Sequence, residues 1–368
     1  MELILLVSGF LSVMMDFDTI DRILGAPPAY PAWRVAHMAA KAGILATWLS
    51  SAQARDIELT GAATAYLERA RRRVAELARV GEEQAAAHGL TVLKGRRIAV
   101  HMPGWMLRQS GDADLVAPDE EALWRCVLDL SARYGAVPQG VSVMDGEFGR
   151  HICVAMKWPA EEPHLDKPMG ADVSTCAFTG DLKGVPVRAV PPEHDDLCGL
   201  FAVAEERFQR KFRIKDLLDF SVLAGLAERR LGDALVSVVR EHAEALALAP
   251  ELRALIKKTG PWSPLSPRWR ATLDELGPPA KAEKARRRPG RAGVARVRYG
   301  FPLDTVPSRA MRATVHRGPG GDVATTPLGS CLLVETPVLT EDVVAEALDH
   351  ARTLAAEGGE SHASHRDR

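Results

Sequence analysis

The chain has 368 residues, a hydrophobic share of 46%, a charged share of 26% and a formal net charge of −1. That length exceeds one ordinary domain, and the composition suits a globular protein able to bury a large core. A net charge so near zero excludes the global basic field that holds nucleic acid nonspecifically, which argues against a nucleic-acid partner.

Leu3–Val13 is an apolar run resembling a short signal core, yet Glu2 is acidic, no Lys or Arg precedes it and no cleavage site follows. It is also too short to span a bilayer. A true start at Met14 or Met15 accounts for it, and a cytoplasmic location without membrane association is expected. The five cysteines, at 126, 153, 176, 198 and 331, form no Cys-x-x-Cys pair and are expected to be core thiols.

Residues 17–89 read as a helical N-terminal region. Its longest periodic run, Thr60–Arg79, carries Ala63, Tyr66, Leu67, Ala70, Val74, Leu77 and Ala78 at spacings that predict one buried stripe. Arg71, Arg72 and Arg73 are expected on its solvated face. From 90 to 190 the pattern changes to short strands and loops. Strands are expected at Thr91–Leu93, Ala113–Ala117, Thr175–Phe178 and Pro186–Ala189, with a hairpin of Val141–Asp145 and His151–Lys157. A helix over Pro118–Leu130 has acids in its first turn. The sum is an α+β arrangement, a small mixed sheet with helices packed on it.

Residues 191–258 return to helix. Asp216 and Asp219 fall about one turn apart on one face, where they could accept a cation or pair with Arg213 or Lys215 at the surface. His194-Asp195-Asp196 is expected to cap the following helix. Residues 259–297, with their basic, Pro-rich segment, read as a linker, or as a mobile clamp on an anionic substrate. Residues 298–356 form a C-terminal α/β segment, with strands at Val294–Tyr299 and Cys331–Glu335 and a helix over Thr340–Ala355. The tail from Glu357 is expected to be disordered.

The chemistry concentrates in Leu107-Arg-Gln-Ser-Gly-Asp-Ala-Asp-Leu-Val116. Asp112 and Asp114 are spaced i, i+2 at the opening of a strand, so both carboxylates project from one face, about 7 Å apart at the backbone. Two such groups can converge on a hard cation such as Mg²⁺, which keeps positions open for substrate phosphates. Upstream, Lys94 and Gly95 end a strand and open a short helix at Arg96. Glycine lets a phosphate approach the backbone, and Lys94, Arg96 and Arg108 add positive charge against phosphate oxygens.

Lys94-Gly95, Arg108 and Gly111-Asp112-Ala113-Asp114-Leu115-Val116, in this order, resemble the signature of an uncharacterised bacterial nucleotidyltransferase family in the DNA polymerase beta-like superfamily. Members are often found in natural-product gene clusters. Ala40–Leu49 and Arg213–Leu223 resemble its N-terminal and late helices, so the likeness covers about residues 20 to 225. It implies a mixed-sheet nucleotidyltransferase core flanked by helical N-terminal and middle regions. The implied activity is Mg²⁺-dependent transfer from an NTP to a small-molecule or peptide acceptor, with metal at Asp112 and Asp114 and nucleotide at Lys94, Gly95, Arg96 and Arg108. The family carries a further acid on a later strand, and there this chain is expected to have Val154-Ala155-Met156-Lys157-Trp158. Ala155 then leaves the third carboxylate missing, unless Asp145 or Glu147 replaces it. Two rivals stand beside this reading: a nucleotide-binding protein without turnover, suggested by Ala155, and a toxin-like transferase acting on RNA, suggested by the basic segment and the superfamily.

Overall fold

The computed structural model describes residues 17–146, 149–181, 183–263, 265–288, 296–318, 320–335 and 339–363. Helices α1 (Phe17–Ile23), α2 (Ala32–Lys41) and α3 (Leu45–Ala54) precede α4 (Gly61–His88). Thr60 caps α4 by accepting a hydrogen bond from Ala63 N, and Gly89, at φ 69°, ends it in the left-handed region that favours glycine. The first strand, β1 (Thr91–Val92), leads through α5 (Arg96–Ala99) to β2 (Ala113–Val116) and α6 (Glu120–Tyr134). Then come β3 (Val137–Gly146), β4 (Gly149–Trp158) and β5 (Met169–Ser174). Five longer helices follow: α7 (Asp195–Gln209), α8 (Ile214–Leu231), α9 (Leu235–Ala245), α10 (Ala249–Thr259) and α11 (Pro267–Glu275). The chain closes with α12 (Gly277–Arg286), β6 (Arg296–Pro302), β7 (Thr314–Gly318), β8 (Gly321–Thr326), β9 (Gly329–Val334) and α13 (Glu341–Ala363).

The strands form one mixed sheet of nine strands in the order β1-β2-β5-β4-β3-β6-β9-β8-β7. Only β2 and β5 run parallel; the other described pairs are antiparallel. Period-2 alternation sorts the central strands into two faces. Leu115, Val173, Val154 and Val141 stand in register across four strands. They are packed in one core with Leu123, Trp124, Val127 and Leu130 of α6 and with Leu77 and Val80 of α4. A second core joins α1–α3 and the start of α4 to α7–α12, and a third, smaller one seats α13 on β8 and β9. Among the described residues no helix is long and apolar enough to cross a membrane.

Several expectations need correction. The stripe on α4 is not continuous: Leu67 and Ala70 join the helical core and Leu77 the sheet core, while Val74 and Ala78 stay part-exposed. The segment read as a linker holds two helices, because its prolines start helices instead of breaking them. Ser266 caps α11 ahead of Pro267, and α12 likewise has proline in its first turn, where a missing N–H costs nothing. Strands β5, β7 and β8 were not expected, whereas 175–178 and 186–189 meet only in an isolated bridge, Phe178 with Arg188. The C-terminal helix runs on to Ala363. The apolar run Leu3–Val13, Glu147 and residues 289–295 lie outside the described residues.

Asp216 and Asp219 are buried, not surface acids. Asp216 accepts from Arg210 at 2.6 Å and from the backbone N–H of Arg213 at 2.7 Å. Asp219 takes both ends of the Arg108 guanidinium at 2.8 Å. Arg108 also donates to the Gly95 carbonyl at 3.2 Å, so one buried fork ties α8 to the Lys94-Gly95 turn. Removing one partner of a buried pair strands the other charge. Arg108→Ala is therefore expected to lower stability by about 3–5 kcal/mol, and a paired Arg108→Met, Asp219→Leu change to recover most of it. Urea unfolding of the two variants checks this.

Candidate active site

The face of the sheet opposite the α6 core carries the charge. Asp114 of β2 stands in register with Asp172 of β5, and Asp172 in register with Ala155 of β4. Ala155 is followed by Gly140 on β3, so two carboxylates lie beside two positions with almost no side chain. Asp112, just before β2, acts electrostatically on both Asp114 and Asp172. A further carboxylate, Asp172, thus stands one strand over from Ala155. Asp145 is no substitute: it shares the opposite face with Val141 and Val143 and is held by Arg150 and Arg298.

Burial, then Asp112 and Asp114, push the Asp172 carboxyl up to about 6. Asp114 is also raised, by burial first, with Lys94 working against the rise and Asp112 adding to it. Lys94 is what keeps this cluster tolerable. Its Nζ lies 2.7 Å from Glu206 on α7 and 3.7 Å from Asp114, and the Leu93 N–H donates to the Asp114 carbonyl at 2.9 Å. Burial would depress the ammonium, but Asp114 and Glu206 outweigh it and hold its pKa above the ordinary lysine range. Gly95 follows at φ 68°, a conformation that favours glycine, with Ser110 Oγ 3.7 Å from where a Cβ would sit.

Of the residues read from sequence, Lys94, Gly95, Asp112 and Asp114 come together here. Arg108 lies next to them, but its charge is committed to Asp219, and Arg96 turns to Glu82 on α4. Two residues were missed as site members. One is Asp172, a lone acid within the otherwise apolar and small run Met169–Ser174. The other is Lys215, at the start of α8, which feels Asp219, Asp112 and Asp114 and has no hydrogen bond or ion pair among the described residues. Burial first, then Arg108, lowers its pKa. Lys157 stands in register with Gly170 and lowers the Asp172 pKa.

A cavity of ≈ 120 Å³ opens between Lys94, Asp114 and Asp172 on one side and Glu205 and Gln209 of α7 on the other. Among the described residues no three His, Cys, Asp or Glu side chains are gathered closely enough to hold a metal as they stand. The donor chemistry fits a hard divalent cation even so: Asp114 and Asp172 stand in register, Asp112 acts electrostatically on both, and its carboxylate has no hydrogen bond or ion pair among the described residues. No family model, no curated protein and no solved structure matches the chain.

Asp172 gives a signed pH dependence. Its folded pKa is raised, so the native state binds the proton more tightly than the unfolded chain, and stability falls as pH climbs from about 4 to about 6. Asp172→Asn is expected to flatten that slope and to stabilise the metal-free protein at neutral pH by about 2–3 kcal/mol. Denaturation between pH 4 and 7.5 (a range set around the titrating window) reads both effects; parallel curves for the two proteins contradict the clustering.

Proposed function

We propose that the chain is an Mg²⁺-dependent nucleotidyltransferase that moves a nucleotidyl group from an NTP to a small-molecule or peptide acceptor and releases pyrophosphate. The observation that carries this reading is the Asp114–Asp172 pair, in register on parallel neighbouring strands, with Asp112 and Lys94-Gly95 beside it. The resemblance of the Gly111–Val116 motif to the bacterial nucleotidyltransferase family supports it and suggests a place in natural-product biosynthesis.

Asp112, Asp114 and Asp172 would hold the cation, which when bound supplies charge stabilisation for the phosphates and the departing pyrophosphate. Lys215 and Lys94 offer ammonium groups to the phosphate oxygens, and the Gly95 turn allows close backbone approach. In the transfer, a bond forms from the acceptor oxygen or nitrogen to the α-phosphorus as the α–β phosphoanhydride bond breaks. Pyrophosphate carries away the electron pair, and the acceptor proton goes to a carboxylate of the cluster. The protein's share of the rate comes from positioning and electrostatics, with no covalent enzyme intermediate.

Two observations favour this reading over its rivals. Ala155 suggests binding without turnover, and Asp172, a carboxylate one strand away, supports turnover instead. The basic segment suggests a transferase acting on RNA, and the pairing of Arg286 with Glu283, and of Arg287 with Glu251 and Glu283, leaves two of its cations less available for that role.

Incubation with each labelled NTP, Mg²⁺ and a panel of alcohols, amines and peptides is expected to give acceptor-dependent pyrophosphate release. Asp114→Ala and Asp172→Ala each remove it, and Lys215→Ala weakens NTP use by about tenfold, the loss of one charge-assisted phosphate contact. No release with any NTP, or full activity in the aspartate variants, rejects the reading.

A further inference from the structure

A second opening lies on the other side of Asp112. It is a groove of ≈ 410 Å³ between the middle of α4 and the Gly95–Ser110 segment, within the range of small-molecule sites. Val74, Leu77 and Ala78 of α4 form one wall, and Val92, Val100 and Leu107 the other. This is where the apolar stripe of α4 fails to close: Val74 and Ala78 remain part-exposed, and Val100 on the facing wall is 58% exposed.

The cations that border the groove arrive already neutralised. Arg71 pairs with Glu68, Arg96 with Glu82, Arg108 with Asp219, and Lys94 with Glu206 and Asp114. Each of these cations is already engaged by a carboxylate, and Asp112, which also lines the groove, would repel an anionic acceptor. The Asp112 carboxylate has no hydrogen bond or ion pair among the described residues. An apolar trough ending in an unpaired carboxylate favours an apolar body with a hydrogen-bond donor at one end.

Resting on the transferase reading above, we propose that this groove is the acceptor subsite and that the acceptor is an apolar alcohol or amine, its donor end turned to Asp112. Such a placement sets the reacting oxygen or nitrogen beside the carboxylate cluster, while the phosphates occupy the separate cavity at Asp114, Asp172 and Lys94. Phosphorylated and other anionic acceptors are excluded.

The test uses the full chain and N-phenyl-1-naphthylamine, a neutral apolar fluorophore with one N–H donor, whose emission rises in a dry pocket. Saturable binding of a single equivalent is expected. Ala78→Trp, which fills the groove from a part-exposed helix position, and Val100→Glu, at an exposed position, are each expected to weaken it at least about tenfold. Mg²⁺ with non-hydrolysable analogues of the four NTPs should leave it in place, because the nucleotide binds elsewhere. Should Ala78→Trp fail to fold, Val100→Glu alone decides. Absence of saturable binding, or binding untouched by the folded variants, overturns the proposal. Competitive displacement by a nucleotide overturns it as well, since the groove would then be the base site. Groove binding of the expected kind in a protein that takes up no NTP supports the ligand chemistry and rejects the transferase reading, so the two failures are told apart.

Discussion

The buried fork between Arg108 and Asp219 fixes where everything else at the site can be. Arg108 leaves the loop that leads to Asp112, reaches α8 with two parallel hydrogen bonds, and holds the Gly95 carbonyl with the same guanidinium. Sheet edge, glycine turn and helical lobe are thereby set in one register. Lys215, one turn before Asp219, is brought toward the Asp-x-Asp pair by the same contact. An ion pair so buried contributes little net stability against an apolar replacement. Its value here is geometric, because an apolar pair would hold the lobe without specifying the direction of the glycine turn.

Around that fork the site is built from charges that oppose one another. Asp114 and Asp172 stand in register, Asp112 raises the proton affinity of both, Asp114 raises that of Asp172 further, and Lys94 offsets only part of this. Such an arrangement is costly in the free protein and becomes favourable when positive charge arrives, which supports the proposed cation site. The neighbouring strands answer with Ala155 and Gly140, which leave space on the sheet face instead of filling it. Ala155 leaves clearance beside Asp172.

What the sequence showed follows from distance along the chain. Asp112 and Asp114, and Lys94 with Gly95, are local features whose period and turn chemistry are visible in a few consecutive residues. The core face of the central strands was likewise visible in Val141–Asp145 and His151–Lys157, which alternate. Asp172 was not, because its run Met169–Ser174 has no polar alternation, and only the parallel pairing of β2 with β5 brings it to Asp114. The pairing of Arg108 with Asp219 was not visible either, because the two are remote in sequence. Prolines at 267, 278 and 279 were read as linker signals, although proline in a first helical turn is equally at home.

The central claim is that Asp172 completes one cation site with Asp112 and Asp114. Calorimetric titration of Mg²⁺ into the full chain with a saturating non-hydrolysable NTP tests it most directly, comparing wild type with Asp172→Asn, a change that keeps shape and removes one charged oxygen ligand. The account predicts saturable Mg²⁺ binding that weakens at least about tenfold in the variant, as loss of a hard anionic donor requires. Equal affinity in the two proteins would place Asp172 outside the site and contradict the account.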